Sequence, residues 1–380
     1  MARRFGSALR ASPAHRARAA PAPLDLARGG RHDHCPEPRH SPPDARDPGP
    51  IGAGADDAGG AARPAPDAIL GAYASLPESQ EGQEEYYRLL ARIPGVRGLE
   101  IPFRDDLGGA AGLPWLASQL APHWDRNIVT AIPGTMMRVW ATGSFGLAST
   151  DRQGRADALA FTRSVRDGVE ALRETAGHEV VAAVEIHSAP SGEPGVAHSA
   201  EAFGESLSQI IDYDWGDALL LVEHCDAFVA PDLGEKRLLG IDEELEVLRV
   251  LDHPRVRMSL NWGRSALEAR DAATALEHVR LARAAGALEG VMFSGAGPED
   301  TRYAKAWMDG HLPLDVDEPG SVMSAEDVRA CSLAAVEPAA DAEGGIAPAS
   351  YLGAKCQVPA EAGPEQRAAF LTRILDATRI

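Results

Sequence analysis

What the chain does without narrows its identity before any motif is read. It has four cysteines (Cys35, Cys225, Cys331 and Cys356) and no CxxC pair, so neither a disulfide framework nor a thiolate zinc site of ordinary spacing is expected. Free thiols suit a reducing compartment, and a cytoplasmic location follows as the expectation. No window approaches the roughly 18 uninterrupted apolar residues of a membrane span. Basic side chains number 37 against 56 acidic ones, a net charge of -19, and a surface of that sign repels nucleic acid. No GxGxxG follows the first apolar strand, so the usual dinucleotide fingerprint is missing.

Aliphatic periodicity is absent from residues 1–66. That stretch holds 10 Arg, no Lys and 11 of the 28 prolines, a composition that buries too little apolar surface to offset chain entropy. It reads as a disordered tail. It begins like a transit peptide or twin-arginine signal, but no apolar core follows Arg3 and Arg4, and acidic residues recur. The cluster His32-Asp33-His34-Cys35 has metal-ligand chemistry, although His/Cys tracts without structure are commonly inert. Without its 10 basic and 7 acidic residues, the remainder, 67–380, keeps 27 basic and 49 acidic side chains and carries about -22.

What is present centres on Leu219 to Asp226, LLLVEHCD. Its aliphatic run wants burial on both faces, as in a parallel strand covered by helices, and its polar end falls where such sheets place their chemistry. VVAAVEIH, from Val180 to His187, repeats the pattern. From Asp67 onward strand and helix signals alternate. Strands are predicted at Ala68–Ser75, Gly98–Phe103, Asn127–Pro133, Glu179–His187, Ala218–Cys225, Val256–Asn261, Leu288–Ser294 and Ser350–Gln357. Helices are predicted at Glu78–Ile93, Leu113–Leu120, Asp157–Thr175, Glu201–Ile211, Asp242–Leu251, Ala272–Ala285, Ala325–Val336 and Pro364–Thr378, with a long loop through Met136, Trp140 and Asp151. Eight strands with eight helical segments over about 310 residues is the size of a (β/α)8 TIM barrel. An open doubly wound sheet usually has fewer strands.

GAYASLP, GLEIPF, VEIHSAP, VEHCDA, SLNWGRSALE and GAKCQVP, on strands one, two, four, five, six and eight, carry a resemblance. They resemble the domain-of-unknown-function family number 4862, over roughly Ile69 to Ile380. That family is grouped with the xylose isomerase-like TIM barrels, so the resemblance implies relatives of sugar isomerases and epimerases that hold a divalent metal with Glu, Asp and His at strand ends. The family itself implies no particular reaction.

Strand parity selects the side chains that meet inside such a mouth. Ala183, Glu185 and His187 share one face, as do Leu221, Glu223 and Cys225, while His224 and Asp226 point the other way unless the strand ends at Glu223. Glu100, Asn261, Ser294 and Lys355 complete an acidic site with one lysine. Buried carboxylates need partners, which marks Glu185 and Glu223; Glu100 could equally cap a helix or pair with Arg104, and His187 could be a satisfied core histidine. Trp140 and Trp262 could stack on a sugar or roof the barrel, and Arg264, in a glycine-bearing loop, could meet a phosphate.

Three readings follow. In the first, a sugar isomerase or epimerase holds Mn or Mg with Glu185, His187 and Glu223, and substrate with Glu100, Trp140, His224, Asn261, Trp262 and Arg264. In the second, Lys355 takes the cation's electrostatic place and Glu185 and Glu223 act as acid and base of a metal-independent glycoside hydrolase or lyase. In the third, a non-catalytic barrel senses sugars. A small carbohydrate is the partner throughout, without nucleic acid or membrane, and a homo-oligomer is compatible with the sequence.

Overall fold

The computed structural model describes residues 65–192, 195–230, 233–337 and 346–379. The expected tail up to residue 64, with its His32 to Cys35 cluster, lies outside the described residues. No helix among those described is long and apolar enough to cross a membrane.

Eight parallel strands close in sequence order into a barrel, and β8 pairs with β1. The order is β1 (Asp67–Leu70), α1 (Gln80–Leu90), β2 (Val96–Pro102), α2 (Leu113–Gln119), β3 (Asn127–Thr130), α3 (Ile132–Thr142), α4 (Arg152–Ala176), β4 (Val181–Ile186) and α5 (Ala200–Ile210). Then follow β5 (Leu219–His224), α6 (Ile241–Leu251), β6 (Val256–Asn261), α7 (Trp262–Ala269), α8 (Ala272–Ala284), β7 (Leu288–Phe293), α9 (Ala325–Val336), β8 (Tyr351–Ala354) and α10 (Pro364–Thr378). The TIM barrel expected from the alternation is the observed fold.

Two helices stand where loops were expected. α3 opens with Pro133 in its first turn, a position where the missing N–H and fixed φ do no harm, so the proline that reads as a breaker is a starter. α7 follows β6 with no intervening loop: Asn261 ends the strand and caps the helix, its side-chain oxygen accepting the Arg264 N–H at 3.4 Å. The first predicted strand is also shorter than expected, because Ala72–Ser75 curls into a 3-10 turn.

Inside the barrel Ile69, Ile128, Ala183, Leu221, Met292 and Tyr351 form an apolar floor. Two residues further along the same faces stand Glu185 and Glu223, and four beyond Tyr351 stands Lys355. A second, larger core lies between the strands' outer faces and the helices. Two glycines shape the interior. A Cβ on Gly290 would meet the Tyr351 ring at 2.1 Å, and one on Gly71 would meet three carbons of the Lys355 stem at 2.6 Å. Both large side chains therefore lie across the space their glycine leaves open.

Candidate active site

Three glutamates converge at the carboxyl end of the barrel. One carboxylate oxygen from each of Glu100, Glu185 and Glu223 lies within 4.8 Å of the other two, and all three residues are buried. So many carboxylates out of water must be paired or protonated. The three solve this differently.

Glu100 is held by Lys355, whose ammonium lies 2.9 Å from both of its oxygens and 3.3 Å from the Tyr73 hydroxyl. Burial alone would discharge Lys355, but Glu100 beside it raises its pKa and keeps the cation. Neither the expected Arg104 partner nor a helix cap is what Glu100 uses. Glu223 is held by Arg264 and by His187, whose Nε2 lies 2.7 Å from Oε2. Burial opposes its charge, yet Arg264 and His187 together hold the carboxyl well below its usual range. His187 is itself pushed down, by burial first and against the hydrogen bond to Glu223, so the neutral imidazole donates Nε2–H and its buried Nδ1 has no hydrogen-bond partner.

Glu185 has no cation of its own. Its Oε1 accepts from Ser259 at 3.1 Å and from the Tyr351 hydroxyl at 3.4 Å, and its buried Oε2 has no partner. Burial, then the charges of Glu223 and Glu100, raise its pKa well above the carboxylate range. Glu185 and Glu223 are thus pushed in opposite directions, the first up and the second down, the arrangement in which neighbouring environments separate acid from base.

Loops lock the cationic side. Asp309, in the excursion after β7, accepts from Arg264 Nε at 3.0 Å and from Lys236 Nζ at 2.7 Å, and its other oxygen is 3.1 Å from His311 Nδ1. His311 also meets Ser294 at 2.8 Å. Lys236 belongs to the loop after β5. There Asp226 Oδ2 accepts the successive backbone N–H groups of Glu235, Lys236 and Arg237 at 2.5, 2.6 and 3.0 Å.

Of the residues singled out from sequence, the structure brings together Glu100, Glu185, His187, Glu223, Arg264 and Lys355, with Asn261 beneath Arg264. It does not bring in three others. His224 faces the outer helices, with Nδ1 2.8 Å from Glu244 and Nε2 3.3 Å from Glu268, because consecutive strand residues point to opposite faces and β5 continues through it. Trp262 is buried in the outer core, since the first turn of α7 carries it there. Trp140 is 67% exposed on α3, with no contact to the glutamates. Tyr73, Tyr351, Ser259, Lys236 and Asp309 were missed. Parity would have found Ser259, on the face of Asn261, and Tyr351, on the face of Lys355; nothing in sequence marks the loop pair Lys236 and Asp309.

Three groups among the described residues have donors close enough to hold a metal ion: Glu100, Glu185 and Glu223; His187, Glu223 and Cys225; and His224, Glu268 and His278. The first two coincide with the site expected for Mn or Mg. Glu100 and Glu223 already face Lys355 and Arg264, while Glu185 Oε2 and His187 Nδ1 are buried without partners. A divalent ion placed there would be repelled by both cations at close range.

The architecture defines a class, the (β/α)8 barrels. Within it the chain belongs to the family described as Domain of unknown function (DUF4862), which it matches over residues 69–370. It is similar to the Uncharacterized protein STM3670 of Salmonella typhimurium, at 36% identity over 272 residues, covering 70% of this chain and 84% of that one. Among solved structures it resembles a D-psicose 3-epimerase crystallised in the presence of D-fructose, with TM-score 0.51 and 13% identity over 83% of this chain and 98% of that chain. The apo 3-keto-D-glucoside 4-epimerase YcjR of E. coli aligns at TM-score 0.49 and 11% identity, over 82% and 100%. Likeness at these identities is likeness of fold.

Proposed function

We propose that the protein is a sugar isomerase or epimerase that moves a proton with Glu185 and stabilises the developing oxyanion with Lys355 and Arg264 rather than with a metal ion. The observation that carries this is the odd carboxylate out. Glu100 and Glu223 each have a fixed cation; Glu185 has only neutral hydroxyls, a raised pKa and an unpartnered oxygen. A raised carboxyl is the stronger base once ionised, and a pKa nearer the working pH suits proton transfer. Preorganised cations beside it supply the electrostatic stabilisation that an enediolate oxygen needs. The barrel's likeness to a D-psicose 3-epimerase agrees with the reading through fold.

Carbon-bound hydrogen exchange tests it directly. Incubation with a panel of ketoses and aldoses in D2O, followed by NMR, is expected to show deuterium entering at a carbon next to a carbonyl, and to show none with Glu185→Gln. Chelator treatment is expected to leave exchange unchanged. Because Glu185 must lose its proton to act as base, kcat/KM should rise with pH, with its midpoint above the usual carboxylate range.

A second reading rests on a separate observation, the short spacing of the carboxylates. Oxygens of Glu185 and Glu223 within 4.8 Å of each other are near the roughly 5–5.5 Å of retaining glycosidases. Release of reducing sugar from a glycoside without carbon-bound deuterium would favour hydrolysis over isomerisation.

A further inference from the structure

Beside the mouth lies a cavity of about 550 Å3, between the chain following β1, β2 and the helices α1 and α2. Tyr73 and Glu100 form one end of it, and these are the two groups that hold the Lys355 ammonium. Leu76, Tyr87, Trp115 and Leu116 give it apolar and aromatic walls. Tyr87 and Trp115 meet edge to face with centroids 5.9 Å apart, and the indole Nε1 of Trp115 is buried without a hydrogen-bond partner. The volume falls in the range of roughly 300–1,000 Å3 typical of small-molecule sites, and the lining combines apolar and aromatic walls with polar side chains, Gln83, Glu100 and Arg104 among them.

We propose that this cavity is a subsite for the apolar group of a glycoside, so that the substrate is an uncharged sugar joined to an aryl or alkyl group rather than a free or phosphorylated sugar. The sugar hydroxyls meet Tyr73, Glu100 and Lys355, and the apolar group lies between α1 and α2. Charge selects against an anion: Glu78 and Asp106 join Glu100 in the lining and Arg104 is the one cation among them. Aromatic walls favour a flat apolar group, which they contact face or edge on. The inference rests on the assignment of the mouth to sugar chemistry and adds the class of sugar.

The test is binding, so that it stands apart from turnover. Calorimetric Kd values are compared for 4-nitrophenyl and methyl glycosides of the same hexoses, in both anomers, with full-length protein. For at least one pair the aryl glycoside is expected to bind about tenfold more tightly or better. That preference is expected to disappear in Trp115→Ala and in Ala111→Trp, the second filling the cavity from an exposed position that no core packing depends on. Glu185→Gln should keep the preference whether or not it turns over, so loss of the proposed chemistry and loss of the subsite are read separately. Equal Kd values in every pair, no binding of any aryl glycoside, or a preference that survives both cavity variants would overturn the proposal.

Discussion

Glu223 and His224 are neighbours in the chain and opposites in the fold. Inward of β5, Glu223 joins a cluster in which the Glu185 pKa is pushed well up and one Glu185 oxygen is unpartnered. Outward, His224 lies between Glu244 and Glu268, and these in turn are bonded by Ser188 at 2.5 Å and by the Ala227 N–H at 2.7 Å. Burial would discharge His224, but Glu244 and Glu268 raise it to about 10. The nearby His278 is pushed down to about 4 by burial and by that charge. Both clusters bury carboxylates with cations. The difference is that every member of the His224, Glu244 and Glu268 triad is answered, whereas the mouth leaves Glu185 with an open oxygen. A closed network holds structure, and an open one has a place for a reacting group.

The sharpest way to separate the two is at Glu185. Glu185→Gln is expected to lower turnover by roughly 10²–10⁴-fold, the range for a positioned acid or base. Its melting temperature should stay level or rise, because an amide does not have to take up a proton to be buried beside Glu223 and Glu100; a comparable loss of stability would show that Glu185 is structural. Lys355→Met should cost turnover about 10²-fold, as for one preorganised electrostatic partner, together with about 3–5 kcal/mol of stability from the stranded Glu100. Adding Glu100→Gln should restore the stability, read by denaturant melts, and leave the turnover low.

Gly71→Ala probes the same pair through the backbone. Its methyl group would collide with the Lys355 stem, so turnover should fall about tenfold or more while Glu185 still titrates in the pH profile; wild-type turnover would mean that Lys355 is free to shift. On the outer side, His224→Gln should leave turnover per folded molecule unchanged and lower stability by about 3–5 kcal/mol. The sign of its pH dependence is fixed. A histidine raised from about 6.5 unfolded to about 10 folded gives stability that is complete below pH 6.5 and is lost as pH rises towards 10. In the variant that decline should flatten. The smallest effect is expected from removing residues 1–66: a chain starting near Asp67 should keep melting temperature and turnover within error, and a fall of several degrees would show that the tail contributes.

The barrel was legible because burial on both faces leaves its mark in sequence as an aliphatic run, and eight such marks at regular spacing admit few arrangements. Inward and outward residues on one strand were legible from parity, which is why Glu185, Glu223 and Lys355 could be placed. Parity also placed His224 outward, provided that the strand ran past Glu223, which it does. Trp262 was misplaced because a helix begins where a loop was expected, and a capping Asn at a strand's last residue gives no gap to announce it. Pairings across loops, such as Lys236 with Asp309, depend on two long connections meeting in space. No local pattern encodes that.

Asp226 gathers three successive main-chain N–H groups onto one oxygen, and so fixes the loop after β5 through its backbone. What holds that loop in place is therefore in good part main chain. The side chains beside Lys236 are constrained as well: a Cβ on Gly234 would come within 2.9 Å of Asp226 Oδ2, and Glu235 Oε2 accepts the Asp309 N–H at 2.6 Å, so the segment that delivers Lys236 to Asp309 is held from both sides. Asp226→Asn, with a weaker acceptor for the same three donors, would loosen the loop and with it the approach of Lys236 to Asp309.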